Sequence, residues 1–393
     1  MEIQALIRLL DGSLPADETL RRWGLTDIPQ GVRGLGELAA SGLTLDLLAA
    51  LCRQWESQLS LVQQPDEVFA ALVRFIVSAR SPLSLAAMLE RDKGSCKTLL
   101  QALSLGSHVQ QILLDDPEAF DYLLATDGQP VTRAILEDLI LGEVESLFDE
   151  RALTEAFRRL ARRETLRVAY SQVFHRYRIE FLLEQLSCVR ESLISGALHA
   201  AQSLVKQQLR RGTTARPLME PSIAVLATGP LGGAACDYLT AADLFCVCEA
   251  LPEDETGRRA SLDFGERIIR TMLRLLGSES GEPAAAQLRE IFPPEAGNVA
   301  LVPIDLAAGY LDGYGRTWHR QQMVKSRAIA GDRLLGERFV GLLEPWIYRR
   351  YLSQADETGI QAVKRRLGNE LRQRLTAEAF AAGKLSWRPR CPG

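Results

Sequence analysis

The sequence predicts a mainly α-helical protein with one embedded α/β domain, and three observations predict it. Leu and Ala recur at three- and four-residue spacing along most of residues 1–210, the spacing of an apolar helix face. Two apolar runs at 222–227 and 243–248 flank a turn that contains Gly229, Gly232 and Gly233. Helical spacing then returns and extends over 332–382.

Helices are predicted at 37–54, 65–78, 83–90, 96–105 and 131–148. Ser81-Pro82 opens one of them, because proline lacks an N–H that the first helical turn leaves unsatisfied anyway. Asp115-Asp116-Pro117 opens another, which Asp127-Gly128 closes with a turn. Two longer helices follow at 154–177 and 179–211. The first carries Arg158, Arg159, Arg162, Arg163 and Arg167 on neighbouring faces, with Glu155 and Glu164 in pairing range. It reads as a solvated face. The polar stretch 211–217 reads as a linker into the first strand. After the second strand come a polar loop at 254–258, an amphipathic helix at 261–276 and a small, polar loop at 277–286. Residues 305–314 and 318–327 are both compatible with helix. The predicted organisation is a helical N-terminal domain at 1–212, the α/β domain at 213–335, a helical C-terminal segment at 336–382 and a disordered tail at 383–393.

The composition, 47% hydrophobic and 24% charged, is that of a soluble globular protein. A net charge of -4 gives no global attraction to nucleic acid or to an anionic membrane, so neither is expected as a partner. No apolar run approaches the roughly 20 residues that span a bilayer. Acidic Glu2 and Asp11 break the N-terminal apolar stretch, which is not the layout of a secretion signal. Cys52, Cys96, Cys188, Cys236, Cys246, Cys248 and Cys391 form no C-x-x-C pair, and with four histidines there is no zinc-type spacing. Cys246 and Cys248 alternate, so both point to one strand face as small apolar side chains. An odd, unpatterned set of thiols fits a reducing, cytoplasmic location.

A strand, a glycine-rich turn and a second strand bearing carboxylates is how one class of nucleotidyltransferase holds a nucleoside triphosphate. Glycines let the backbone approach the phosphates, and the carboxylates hold divalent metal for in-line displacement. Gly232-Gly233, followed ten residues later by Asp243, has this arrangement. The surrounding residues make it specific. Ile223 to Gly233 resembles a family stretch written G-M-G-K-L-G-G, and Ala234 to Val247 follows R-E-L-N-x-x-S-D-L-D-L-I-F-x in spacing and hydrophobic pattern. Ser261-Leu262-Asp263 resembles R-S-L-D-N-x-E-F-F. Tyr314-Gly315-Arg316-Thr317-Trp318-His319-Arg320-Gln321 resembles Y-G-R-T-W-E-R-Q, and 324–332 resembles x-K-A-R-x-x-A-G-D. Pro345 to Leu352 is similar to P-F-V-Y-R-R-Y-L. In the helical part, Ala119 to Leu124 after Asp116-Pro117 is similar to P-E-x-L-D-x-L-L, and 157–169 to L-R-R-F-R-R-R-E-x-L-R-I-A. In this order, over about residues 80–370, the chain resembles the glutamine synthetase adenylyltransferases.

That resemblance implies a polymerase-β-like nucleotidyltransferase domain embedded in helices, Mg (or Mn) and ATP as cofactors, and glutamine synthetase or a related nitrogen-regulation protein as partner. It assigns nucleotide binding to Gly229, Gly232, Gly233, Thr240, Lys325 and Arg327, catalysis to Asp243, and metal binding to Asp243 and Glu290. The departures fall on the chemistry. The S-D-x-D element is Thr240, Ala241, Ala242 and Asp243 here, so its first carboxylate is absent. The lysine of G-K-L-G-G is Pro230 and the glutamate of R-E-L-N is Ala235. Gapless counting from Trp318 puts the third carboxylate at Leu288, leaving Glu290 or Asp237 as substitutes. Loss of one transition-state-stabilising group commonly costs about 100- to 1000-fold in rate. The expected function is therefore a regulatory or binding pseudoenzyme with lost or weak nucleotidyl transfer. The alternative is an active adenylyltransferase that moves AMP between ATP and a glutamine synthetase tyrosine. Lys325 and Arg327 have two uses open to them, phosphate contact or pairing with acidic neighbours such as Asp305 and Asp332. Trp318 and Tyr348 read as core.

Overall fold

The structure, a computed structural model, describes residues 1–13, 17–211, 219–238, 241–249, 252–277, 286–288, 300–348, 351 and 353–374. The predicted linker beyond Arg211, the predicted loop at 277–286 except for its two end residues, and the tail at 383–393 lie outside these. The chain divides into two compact units. One is Met1–Pro130 with Arg162–Tyr177, and the other is Val131–Ala161 with Arg178–Gly393.

The first unit is helical throughout. It contains α1 (Ile3–Leu10), α2 (Asp17–Arg22), α3 (Ile28–Ala40), α4 (Leu45–Leu59), α5 (Pro65–Ser78), α6 (Pro82–Arg91), α7 (Lys93–Leu103), α8 (Ser107–Asp115) and α9 (Glu118–Thr126). Its core is a continuous apolar cluster in which Trp23, Trp55 and Phe69 pack edge to face at 5.9–6.3 Å. Local chemistry sets the helix starts. Ser81 Oγ accepts from the Ser84 N–H at 3.3 Å ahead of Pro82, and Asp92 caps α7 through the Gly94 N–H at 2.9 Å. The stretch 37–54 is two helices rather than one, because Gly42, at φ 94°, turns the chain before Thr44 caps α4.

After α10 (Arg133–Val144), the arginine row falls on α11 (Glu150–Tyr170), which a π-helical turn extends over Ser171–His175. The row is an ion-pair seam rather than a solvated face. In the first unit Arg163 grips Asp116 at 2.7 Å and Glu118 at 2.9 Å. Arg167, 1% exposed, donates to Glu164 and to the Gln129 carbonyl, both at 2.8 Å. In the second unit Arg159 pairs with Glu143 at 2.9 Å. Helical periodicity alone does not distinguish a wet arginine face from a paired one.

The second unit is built on a five-stranded mixed sheet, with β1 (Ser222–Thr228), β2 (Ala242–Glu249), β3 (Ala286–Leu288), β4 (Val302–Pro303) and β5 (Arg327–Gly331). The order is β3-β2-β1-β5, with β4 also on β2. β1 is antiparallel to both β2 and β5, while β3 and β4 run parallel to β2. Strand alternation sorts the side chains to two faces. Ile223, Val225, Ala227, Leu244, Cys246 and Cys248 pack with the long helix α12 (Ile179–Arg211) and with α14 (Glu255–Leu275). Ala224, Leu226, Phe245 and Val247 pack with α15 (Ile304–Tyr314) and α17 (Arg333–Ile347). Cys246 and Cys248 share the first face as expected, and burial pushes the Cys248 thiol up to about 12 and that of Cys246 further. A one-turn helix α13 (Gly229–Gly232) follows β1, and α16 (Thr317–Met323) and α18 (Gln354–Arg374) complete the order.

Two expectations change. The helix read over 318–327 ends at Met323, and Arg327 instead begins β5. Its short apolar run Ala328-Ile329-Ala330 pairs with β1, and three apolar residues carry no period that separates strand from helix. Tyr348 is 57% exposed rather than core, and its hydroxyl donates to the Val324 carbonyl. Trp318 is half-buried and stacks on His319 with ring centroids 3.7 Å apart. Among the described residues, no helix is long and apolar enough to cross a membrane.

Candidate functional site

β1 delivers the chain into the glycine-rich turn. Thr228 pairs with Asp243 across the sheet, so the turn begins beside the acid end of β2. Gly229 sits at φ 58°, and a side-chain carbon there would lie 3.3 Å from Asp243 Oδ2. The Gly233 N–H closes the turn onto the Gly229 carbonyl at 3.1 Å, and Ala235 N–H donates to the Pro230 carbonyl at 2.9 Å.

The two adjacent glycines face different neighbours. A Cβ on Gly232 would lie 2.4 Å from the Lys325 carbonyl oxygen and 2.9 Å from that of Ala227, so two backbones meet there. A Cβ on Gly233 would meet only the Lys325 side chain, 2.7 Å from Cδ and 3.1 Å from Nζ. Lys325 therefore lies over the turn, exposed, and its ammonium has no carboxylate partner among the described residues.

Arg327 grips the same turn from β5. Its Nε donates to the Gly232 carbonyl at 3.1 Å and Nη2 to the Leu231 carbonyl at 3.0 Å. It also pairs with Glu191 on α12, a buried carboxylate that takes Arg133 Nη1 at 2.7 Å on its other oxygen. Arg133 in turn donates to the Ile329 carbonyl. Glu191 thus ties α12, α10, β5 and the turn together. Sequence reading missed Glu191 and Arg133, because their partners lie on distant segments and no local pattern marks them. Asp332, offered earlier as a partner for the cations, instead caps α17 through the Leu335 N–H at 3.0 Å and accepts from Ser222 Oγ at 2.5 Å.

The acid side is sparse. Ala241 and Asp243 are both buried, and Asp243 is the one carboxylate on β2 before Glu249 at its far end. The parallel register sets Gln287 of β3 opposite Asp243, one residue before Leu288. Gln287 Nε2 donates to Asp243 Oδ1 at 2.7 Å. An ionised carboxylate only accepts, so the amide must turn its NH₂ toward it, which aims the amide oxygen elsewhere. Magnesium takes oxygen ligands in near-ideal octahedral geometry. Among the described residues, no group of three His, Cys, Asp or Glu side chains could hold a metal ion. Among the described residues, the side chains around Asp243 do not supply the ligands of a two-ion centre.

The structure brings Gly229, Gly232, Gly233, Asp243, Lys325 and Arg327 together. Asp237 is exposed on the segment after the turn, while Thr240 and Glu290 lie outside the described residues.

Comparison with known proteins matches this sequence to a family. The family model for glutamate-ammonia ligase adenylyltransferase matches residues 96–341, which include the turn, the acid end of β2, and β5. Among curated relatives, the bifunctional glutamine synthetase adenylyltransferase/adenylyl-removing enzyme of Bartonella quintana (strain Toulouse) is 24% identical over 67% of this chain and 28% of its own length. That of Brucella suis biovar 1 (strain 1330) is 22% identical over 77% of this chain and 31% of its own. That of Mycobacterium avium (strain 104) is 29% identical over 75% and 29%. The chain spans less than a third of the length of these relatives. The family match nonetheless covers more than half of the 393 residues, and the chain belongs to the glutamate-ammonia ligase adenylyltransferase family.

Proposed function

We propose that the α/β unit is a nucleotidyltransferase-type domain whose transfer activity is lost or weak, and that the chain acts by binding a partner. The observation that carries this reading is the Asp243–Gln287 pair. Where metal-dependent phosphoryl transfer needs several anionic ligands, β3 offers Asp243 a neutral amide at 2.7 Å, and Ala241 offers nothing. With Asp243 the one carboxylate at that end of β2 among the described residues, a pair of ions that must each be fixed and neutralised has too few ligands, although losses of this kind do not simply add. The relatives named above are glutamine synthetase adenylyltransferases, which supports glutamine synthetase, or a related nitrogen-regulation protein, as the partner.

A second reading, an active adenylyltransferase moving AMP between ATP and a glutamine synthetase tyrosine, is favoured by the turn side. Lys325 lies over Gly233 with its ammonium unpaired among the described residues, placed to meet a phosphate. On that reading Glu290 completes the metal site with Asp243 and Mg or Mn supplies the charge neutralisation. Incubation with labelled ATP, Mg or Mn, and glutamine synthetase separates the two. The proposal expects no label on glutamine synthetase above an Asp243→Ala control, together with capture of glutamine synthetase by the immobilised chain. Transfer abolished by Asp243→Ala would establish the active reading instead, and failure to capture glutamine synthetase would remove it as the partner.

A further inference from the structure

The helical unit holds a cavity of about 690 Å³ that the reading above does not use. Its walls are the end of α4 with the turn after it, one face of α7, and the π-helical turn at Ser171–His175. Buried Leu100 and half-buried Phe174, the latter packed on Tyr170 at 4.8 Å, supply apolar surface inside. At the mouth Leu61 is 83% and Val173 50% exposed, so the apolar lining continues to solvent. The volume is within the roughly 300–1,000 Å³ that small-molecule sites occupy.

The charge of the lining has one sign. Lys97 and Arg176 both border the cavity, both are exposed, and neither side chain makes an ion pair or hydrogen bond among the described residues. Arg162, Arg163 and Arg167 of the same unit are all paired. No acidic side chain lines the cavity among the described residues, although the chain as a whole is net negative. A third feature lies in the wall. Gln58 Oε1 is buried without a donor among the described residues, and a buried acceptor left unmade costs about 1–3 kcal/mol.

We propose that this cavity is a binding site for a small amphipathic anion, a molecule with an apolar body, one negatively charged group and one hydrogen-bond donor. The apolar body fills the space over Leu100 and Phe174. The anion meets Lys97 and Arg176 at the rim, and the donor satisfies Gln58 Oε1 as that side chain turns toward the cavity. An apolar cavity alone would accept any hydrophobe. The two cations make it selective for charge, since hydrogen bonds to charged groups are the stronger ones.

The test uses anilinonaphthalene sulfonate, which carries all three features, and sulfonate-free phenylnaphthylamine, which lacks only the anion. Saturable, single-site fluorescence enhancement is expected with the sulfonate on the intact chain, with affinity about tenfold weaker for the neutral amine. Lys97→Gln/Arg176→Gly should weaken sulfonate binding by about tenfold or more. Glycine is chosen at 176 because Arg176 has φ 56°, a left-handed conformation that glycine adopts without strain, so the fold is spared. Leu61→Glu, at an exposed position, places a negative charge at the mouth and should weaken binding as well. Equal affinity of the sulfonate for the intact chain and for these variants, with unchanged melting temperature, would overturn the proposal. So would absence of saturable binding, or equally tight binding of the neutral amine.

Discussion

The glycine-rich turn and the acid end of β2 face each other across one sheet, yet they are held by opposite kinds of chemistry. The turn is over-determined. Gly232 touches two backbones, Arg327 donates to two of the turn's carbonyls, and buried Glu191 fixes Arg327 and Arg133 together. At the acid end the Asp243 carboxylate accepts from the Gln287 amide, next to a buried alanine. The difference follows from what each half does for the fold. Turn contacts are satisfied inside the protein and stabilise it, so losing any of them has a cost. Clustered buried carboxylates repel one another and stay ionised together only with a bound cation. An alanine at 241 and an amide at 287 remove that repulsion and leave the sheet register intact. The pairing of β2 with β3 therefore does not depend on carboxylates at 241 and 287.

This contrast is broken or sharpened by substitution, beginning with the largest effect. Glu191→Ala removes the anion shared by two arginines. Breaking a fully buried pair costs about 3–5 kcal/mol, but Arg133 and Arg327 are 26% and 35% exposed and can reach water. A loss of about 2–3 kcal/mol in urea unfolding is expected. The adjacent glycines separate next. Gly232→Ala drives a methyl group into the Lys325 carbonyl and should lower stability by about 2 kcal/mol, whereas Gly233→Ala displaces only a flexible lysine and should stay within about 0.5 kcal/mol. Equal effects at the two positions would dismantle the account of the turn. The smallest effect is at Asp332, where the Ser222 hydroxyl and then the Leu335 N–H hold the carboxyl below its ordinary value of 3.8. A carboxyl depressed in the folded state stabilises above its unfolded pKa, and that stabilisation is lost as pH falls through the folded value. Asp332→Ala should therefore cost about 1 kcal/mol near neutral pH, the usual worth of a helix cap. Variant and parent should converge in unfolding measurements as pH falls below about 4.

Much of this frame was legible from residues alone. The runs that became β1 and β2 were apolar and bounded by turn chemistry, and Ser81-Pro82 and Asp127-Gly128 marked helix ends where the structure has them. β5 was hidden because Ala328-Ile329-Ala330 is too short to show a period, and its strand character comes from pairing with β1. Glu191 was hidden for a different reason. Nothing around it in sequence names a buried acid, and its meaning comes from Arg133 and Arg327, 58 and 136 residues away. On the acid side the absence at Ala241 could be read directly. The identity of Asp243's neighbour needed the register, since gapless counting reached Leu288 and the sheet presents Gln287.

Mn²⁺ binding followed by electron paramagnetic resonance tests the proposal that the acid end of β2 holds no divalent metal. The parent chain should leave the free-ion signal undiminished. Ala241→Asp/Gln287→Asp, which returns carboxylates beside Asp243, should reduce that signal in a saturable way. Saturable Mn²⁺ binding by the parent that Asp243→Ala abolishes would contradict the account.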